Sequence, residues 1–486
     1  MKRMIKLVSA GLAAVVMTAA LSGCGDNSVP TISWYLPKSI DNMTSQTMVE
    51  DTINEIFEKE IGAKVKLNLI STADWNEKMN VVINSGETYD VVTVMSWYPA
   101  NSYDTNAPKG VFRELNDLVD KYGADIKAKV DSRAWQYVTY NGKIQLVPSQ
   151  GKLYNEVGWV FKKDLLEKYN FDYKSVKTMK DLEPYFDTLL ANEPDIVPAL
   201  NIATPNWGYS DIVAMGAGKT VVFDEEKEEF IFALEDPRMI EDYRLRNEWY
   251  QKGYFPKDVL TLNTGEAIKT GKYAVVRDNG AITEDGSKSS AAYGYPCLDL
   301  RVENHEPTTA TTFQSGQAIS YTSKNPEKAM QMLNLVWKDP FISNTLAYGI
   351  EDVDYYYISG KGTDRPSVGV KDAAEQTWGI AHNFIGPLFD QWDSSWNSYE
   401  ALRAMEEGNK TTVISKRADV HFDTEPIKTE LAALSEVWKG ASKVLTYGAM
   451  NDFDSYMNDL IQKCKNAGAD KVVNELNRQY KAARNK

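Results

Sequence analysis

Aromatic residues with polar neighbours recur in or beside predicted loops and strand ends. They are Trp97 in "MSWYP", Trp159 in "YNEVGW", Trp207 with Tyr209 in "PNWGYS", Trp378, and Trp392 with Trp396 in "FDQWDSSWNSY". An indole or phenol face stacks on a flat, apolar ligand face. Planar polar side chains bond the hydroxyls around such a face, because a desolvated hydroxyl left unpaired costs about 1–3 kcal/mol. Asp104, Asn155, Glu156, Asp278, Asn383 and Asp393 neighbour these aromatics. The combination suits a polyhydroxylated ring. Core packing is the competing reading for any single tryptophan, and a chain with 27 Tyr and 12 Trp has a large core to fill. "FDQWDSSWNSY" departs from that reading. Its tryptophans are four apart and would share a helix face. Aspartate and serine surround them, as on a wet aromatic surface.

Patterns for bond-breaking chemistry are missing. "MGAGKT" resembles a phosphate loop, but the glycine required five residues before Gly218 is Val213. There is no G-x-S-x-G elbow and no H-E-x-x-H pair. Asp452 and Asp454 lack the glycine of a calcium loop and read as a surface helix start. His305, His382 and His421 show no metal-ligand spacing, so neither metal nor cofactor is expected. A hydrolase acting on glycosides needs two carboxylates at a set distance in space, which abundance of Asp and Glu does not establish.

The elements that would carry the aromatics alternate. "TISWYL" reads as a strand, 45–61 as an amphipathic helix and "AKVKLNLI" as a strand. "ADWNEKMNVVINSGE" reads as a helix, and "YDVVTVMSW" as a strand covered on both faces. This β-α-β-α-β order predicts a parallel or mostly parallel sheet flanked by helices. Ligands of such sheets sit beyond the carboxyl ends of the strands, where Tyr35, Lys38, Ser96 and Trp97 fall. In "TISWYL" alternation sends Trp34 and Tyr35 to opposite faces, with Trp34 packing and Tyr35 reaching the cleft. Further on, "TVVFDEEKEEFIF" reads as a hairpin, "GKYAVVRDNG" as a strand, and "NPEKAMQMLNLVWKDP" as a helix opening on Asn325 and Pro326. The chain is expected to be mostly helical from about 372.

The N-terminus adds a compartment. Lys2, Arg3 and Lys6 precede "LVSAGLAAVVMTAAL", an apolar run too short for a comfortable membrane span of about 20 residues. Leu21-Ser22-Gly23-Cys24 then resembles a bacterial lipobox, whose cysteine is diacylated; "GDNSVP" would be the tether. Net charge is −14, and these first residues hold three cations and no acid. A chain this acidic argues against nucleic acid and against electrostatic docking on anionic lipid. Cys297 and Cys464 are too few for a disulfide framework and read as core thiols, with a single bridge left open.

In order along the chain, "LSGC", "GETYDVVTVMSWY", "LYNEVGWVFKKDLLEKY", "TGKYAVVRDNG", "SKNPEKAMQMLNLVWKDP" and "HFDTEPIKTELAAL" resemble the extracellular solute-binding lipoproteins of ABC transporters. The resemblance is to the sugar-binding family that includes maltose-binding protein, and within it to LipO-like Gram-positive members with a C-terminal domain of unknown function. It implies a two-lobe α/β fold of the periplasmic-binding-protein type, with a ligand cleft at the hinge. By position it implies a signal peptide at 1–23, a tether at 24–30, a first lobe at 30–150 and 312–375, and a second at 151–311 and 376–486. It implies a monomer, not an enzyme, that is lipid-anchored through Cys24 on the outer face of the cytoplasmic membrane. Such a protein would capture an oligosaccharide and pass it to the permease subunits of an importer. Ligand contacts carried over are Ser96, Trp97, Asn155, Glu156, Trp207, Tyr209, Asp278, and the late segment with Asn383, Trp392 and Trp396. A short peptide in the same cleft, met by Arg277, and an exported glycoside hydrolase are the alternatives.

Overall fold

The computed structural model describes residues 29–202, 209–210, 217–277, 283, 285–306, 315–372, 375–395 and 397–485. Strand β1 (Thr31–Lys38) is followed by helix α1 (Gln46–Ile61), strand β2 (Lys64–Ser71), helix α2 (Trp75–Asn84) and strand β3 (Val91–Val94). β1 lies parallel to both β2 and β3. Ile32, Trp34 and Leu36 alternate into the core, which is what sets the register of β1. The Trp34 indole N–H donates to Gln317 Oε1 at 2.8 Å, so this packing residue brings its own buried partner.

Two further strands complete the first sheet, in the order β2, β1, β3, Gly316–Ile319, Val147–Pro148. Both run antiparallel to their neighbours. A second sheet takes the order Cys297–Glu306, Asn155–Lys162, Tyr273–Arg277, Val197–Leu200. Only its last pairing is parallel. The sheets are therefore mixed rather than mostly parallel. Strands that enter a sheet after the chain has crossed from the other one arrive without a βαβ connection, and nothing then enforces a parallel direction.

The buried residues form two bodies. Around the first sheet are Trp34, Phe57, Trp75, Val94, Leu333 and Trp337. Around the second are Trp159, Phe186, Trp249 and Val275, and a separate core of Phe223, Phe230, Leu434, Leu460 and Leu476 lies under the C-terminal helices. One boundary differs from expectation. Trp378, Ile380, Ile385, Trp392 and Ala418 belong to the first body, so the chain stays there to about 418 rather than leaving at 376. The segment up to Ser398 is built of turns, 3₁₀ pieces and a short strand; long helices begin only at Tyr399.

The helices Lys428–Tyr447, Phe453–Asn466 and Ala469–Arg484 cover the hairpin Val221–Asp224/Glu229–Phe232. Asn477 clamps the Phe230 backbone at 2.7 and 2.8 Å. This packing also explains "MGAGKT". Gly218 has φ +60° and lies under Trp438, where a Cβ would come within 2.2 Å of the indole. Cys297 and Cys464 are separate buried thiols in different cores, and burial pushes both up to about 11. No helix of the described residues is long and apolar enough to cross a membrane.

Candidate functional site

Strand β3 ends at Val94 and the chain turns at once, with the Tyr98 N–H donating to the Met95 carbonyl at 3.0 Å. The turn is pinned from three sides. Asn101 Oδ1 accepts from the Met95 N–H at 3.2 Å and from the Trp75 indole at 3.1 Å. The Tyr98 hydroxyl donates to the Thr72 carbonyl at 2.9 Å, just past β2. Trp97 sits in the middle of this turn and is 53 % exposed. The fixed backbone thus holds out an exposed indole, with Tyr98 beside it at 6.2 Å.

Trp97 stands over a trough of about 250 Å³ that is lined further by Ser149, Gln150, Lys152, Asn383 and Met405. Ser96, buried beneath, directs its N–H at Ser315 Oγ, 3.5 Å away. The trough floor is the segment 149–152, where the chain leaves the first lobe. Gln150 is fixed by its own amide, which donates to the Lys129 carbonyl at 3.0 Å and accepts from the Phe389 N–H at 2.9 Å. Its backbone N–H bonds the Gly386 carbonyl at 2.8 Å.

The helix Tyr399–Thr411 straps the same segment. Asn409 donates to the Gly151 carbonyl at 2.9 Å and accepts from the Leu153 N–H at 2.8 Å. Gly408 admits the Tyr154 ring, which a Cβ would meet at 2.5 Å. Arg133 caps the helix end by donating to the Asn409 carbonyl at 2.8 Å. Met405, one turn before Asn409, therefore faces the trough while Asn409 holds its floor. Sequence reading missed Gln150, Met405 and Asn409. "SQGK" and "MEEGNK" carry no aromatic, their charges read as an ordinary solvated face, and only the fold puts them together.

The expected contacts divide. Trp97 and Asn383 line one trough, with Ser96 behind it. Tyr35 is corrected: its ring stands edge-on to Tyr89 at 5.9 Å, toward the amino end of β3, because the face opposite Trp34 is already a hydrophobic core. Lys38 turns back on its own loop, donating to the Asp41 carbonyl at 2.9 Å. Trp392 is 5 % exposed and lies parallel to the Tyr348 ring at 6.1 Å, so the wet-surface reading fails there. Its segment is a short strand and bend, which removes the helical face it was to share. Trp159 and Trp378 are likewise core residues. Asn155, Glu156 and Tyr209 have placed backbones in strands, while their side chains lie outside the description. Trp207, Asp278, Trp396 and Cys24 lie outside the described residues.

A second recess, also about 250 Å³, opens beyond the carboxyl end of β1 between Ser39-Ile40 and the segment 376–397. At its edge His382 is buried, with Nε2 3.3 Å from Asn344 Oδ1, and burial pushes its imidazole down to about 3. A neutral histidine there serves as packing with one polar contact.

Comparison with known proteins identifies the family and the fold. The model of the bacterial extracellular solute-binding protein family matches residues 41–337, more than half of the chain. A domain of unknown function, DUF3502, matches 420–485, the helices over the hairpin. A carbohydrate ABC transporter substrate-binding protein of Streptococcus pneumoniae serotype 4 is 26 % identical, over 99 % of this chain and 98 % of its own. The crystal structure of the N-glycan transport solute binding protein NgtS from Streptococcus pneumoniae superposes with TM-score 0.79 at 26 % identity, covering 93 % of this chain and 98 % of that one. Its complexes with Man1GlcNAc and Man5GlcNAc give 0.69 and 0.66. An extracellular solute-binding protein from Bifidobacterium longum subsp. infantis shares the fold at 14 % identity, with TM-score 0.63 over 94 % of this chain and 99 % of that one. The chain belongs to the family of bacterial extracellular solute-binding proteins and has its two-lobe α/β fold.

Proposed function

We propose that this protein is the substrate-binding component of an ABC importer and captures an oligosaccharide in the trough under Trp97. The observation that carries the reading is the 53 %-exposed indole fixed at the end of the central strand, above a trough that Gln150 and Asn383 also line. Stacking on Trp97 contributes about 1 kcal/mol beyond the area buried, and the Gln150 and Asn383 amides supply partners for ring hydroxyls. The relatives support the ligand class: one is a carbohydrate transporter component, and the other was solved with two glycans. Asn155, Glu156, Trp207, Tyr209 and Asp278 complete the cleft from the second lobe in this reading.

Capture is coupled to closure. A ligand that touches both lobes binds the closed arrangement better and shifts the population toward it. Cys24, lipidated after cleavage of the leader, tethers the protein outside the cell beside its permease. The protein acts as a monomer without catalysis.

Calorimetric titration against a panel of N-glycan fragments and a panel of short peptides tests the ligand class. Saturable binding to glycans with none to peptides is expected. Binding to peptides alone, abolished by Arg277→Ala, would overturn the reading.

A further inference from the structure

The C-terminal helices pack on the hairpin, but the segment that leads into them touches the element beside Trp97. After Ala418, which packs in the first body, the chain crosses at Asp419. Arg484, in the last helix, donates to both Asp419 oxygens at 3.0 and 2.6 Å, and Gln136 of the first body donates to the same carboxylate at 3.1 Å. Just before the crossing, Lys416 donates from its backbone to Glu225 at 3.0 Å and from its ammonium to Glu228 at 2.7 Å, both in the hairpin turn. The chain is therefore fixed to the hairpin and to the last helix before it reaches His421.

His421 lies within the DUF3502 match, and its side chain, 11 % exposed, meets the first body. Nδ1 lies 3.3 Å from Asp104 Oδ1. An ionised carboxylate only accepts, so Nδ1 carries the proton. The imidazole stands against the Tyr140 ring at 5.4 Å and the Tyr103 ring at 5.9 Å. Its Nε2 is enclosed without a polar partner among the described residues. One hydrogen bond and two ring contacts thus orient it.

Tyr103 and Asp104 open the short helix Tyr103–Asn106, which follows directly on the Trp97 turn. Tyr103 is fully buried, and its hydroxyl donates to the Val138 carbonyl. Asn106 donates to the Ala100 carbonyl at 3.0 Å and to the Ser102 carbonyl at 2.9 Å. These two residues flank Asn101, whose side chain accepts from the Met95 N–H at the start of the Trp97 turn. From His421 to the exposed indole the path is one turn of helix and one loop, each bonded to the next. An N–H aimed at a carboxylate adds a direction that ring packing alone lacks.

We propose that the C-terminal helical domain is a positioning element for ligand capture: through His421 and Asp104 it holds the helix that follows the Trp97 turn, and so sets the pose of the exposed indole. This gives the domain of unknown function a part in the cleft, and it rests on the reading that Trp97 meets the glycan. His421 is a positioning residue that acts through Trp97.

The experiment uses the full protein and three variants. His421→Phe keeps a flat ring and removes the N–H. His421→Asn restores an N–H near the Nδ1 position. Asp104→Ala removes the acceptor from the other side, and thermal melting checks all three. Without ligand, Trp97 is followed by its isotope-labelled indole N–H signal in magnetic resonance, assigned by its loss in Trp97→Ala. The signal should shift or broaden in His421→Phe and Asp104→Ala, and return toward its native position in His421→Asn. Calorimetry with Man5GlcNAc as probe reads the effect on capture. His421→Phe should weaken binding about three- to tenfold in the native background and by less than about 1.5-fold in Trp97→Ala. An indole signal unmoved in both His421→Phe and Asp104→Ala overturns the proposal, as does an equal loss of affinity in the two backgrounds. A native protein that does not bind the probe overturns the carbohydrate reading alone, and the indole signal then decides whether His421 positions Trp97.

Discussion

Two tryptophans in similar sequence settings end in opposite places. Trp97 in "MSWYP" stands beside serine and tyrosine, and Trp392 in "DQWDSS" beside aspartate, glutamine and serine. Trp97 is 53 % exposed and Trp392 5 %. The polar neighbours of Trp97 are used by the backbone turn that holds it out. Those of Trp392 face inward: Gln391 donates to the buried Tyr348 hydroxyl at 2.5 Å, and Ser394 Oγ lies 2.8 Å from the same hydroxyl. Polar neighbours thus report hydrogen-bonding need and not exposure. Position relative to a strand end is the better guide, because a strand entering from a core must emerge somewhere.

Truncating each indole separates the two roles. Trp392→Ala should cost about 3–5 kcal/mol of stability, read by chemical denaturation, because it empties a site bounded by Tyr348, Tyr355 and Tyr357. A loss below about 1 kcal/mol would put Trp392 back on the surface. Next in size is pH. His382 is neutral in the folded protein with its imidazole down to about 3, against an ordinary value near 6.5. Its depressed value means that stability is whole above about pH 6.5 and falls as pH drops toward 3, by about 2 kcal/mol at pH 5. Denaturation midpoints of the native protein and His382→Gln measure this; the variant should lose that part of the slope. Asn409→Ala comes third. It leaves the Gly151 carbonyl and Leu153 N–H unpaired and should cost about 1–2 kcal/mol in stability. It should also weaken ligand binding, because the trough floor is released. Asn409→Ala with unaltered affinity would make the strap structural only.

Much of the frame was legible. Residues 31–94 alternate as read because Ile32, Trp34 and Leu36 or Val49, Ile53 and Phe57 repeat at periods that only a strand or a helix can bury on one side. The hairpin at 221–232 was legible for the same reason. Strand direction was not: antiparallel neighbours come from crossings between lobes, and no local residue encodes them. The site was half legible. Trp97 and Asn383 carried a chemical signal, while Gln150 and Asn409 act through contacts 239 and 256–258 residues away in the chain. Tyr35 failed because alternation fixes the face and leaves open which end of the strand the ring leans toward.

The most direct measurement is calorimetric titration of Man5GlcNAc into the native protein and Trp97→Ala. A saturable one-to-one isotherm is expected for the native protein, and about tenfold weaker binding for the variant with its melting temperature unchanged. Equal affinity in the two proteins, or no binding by the native one, would contradict it.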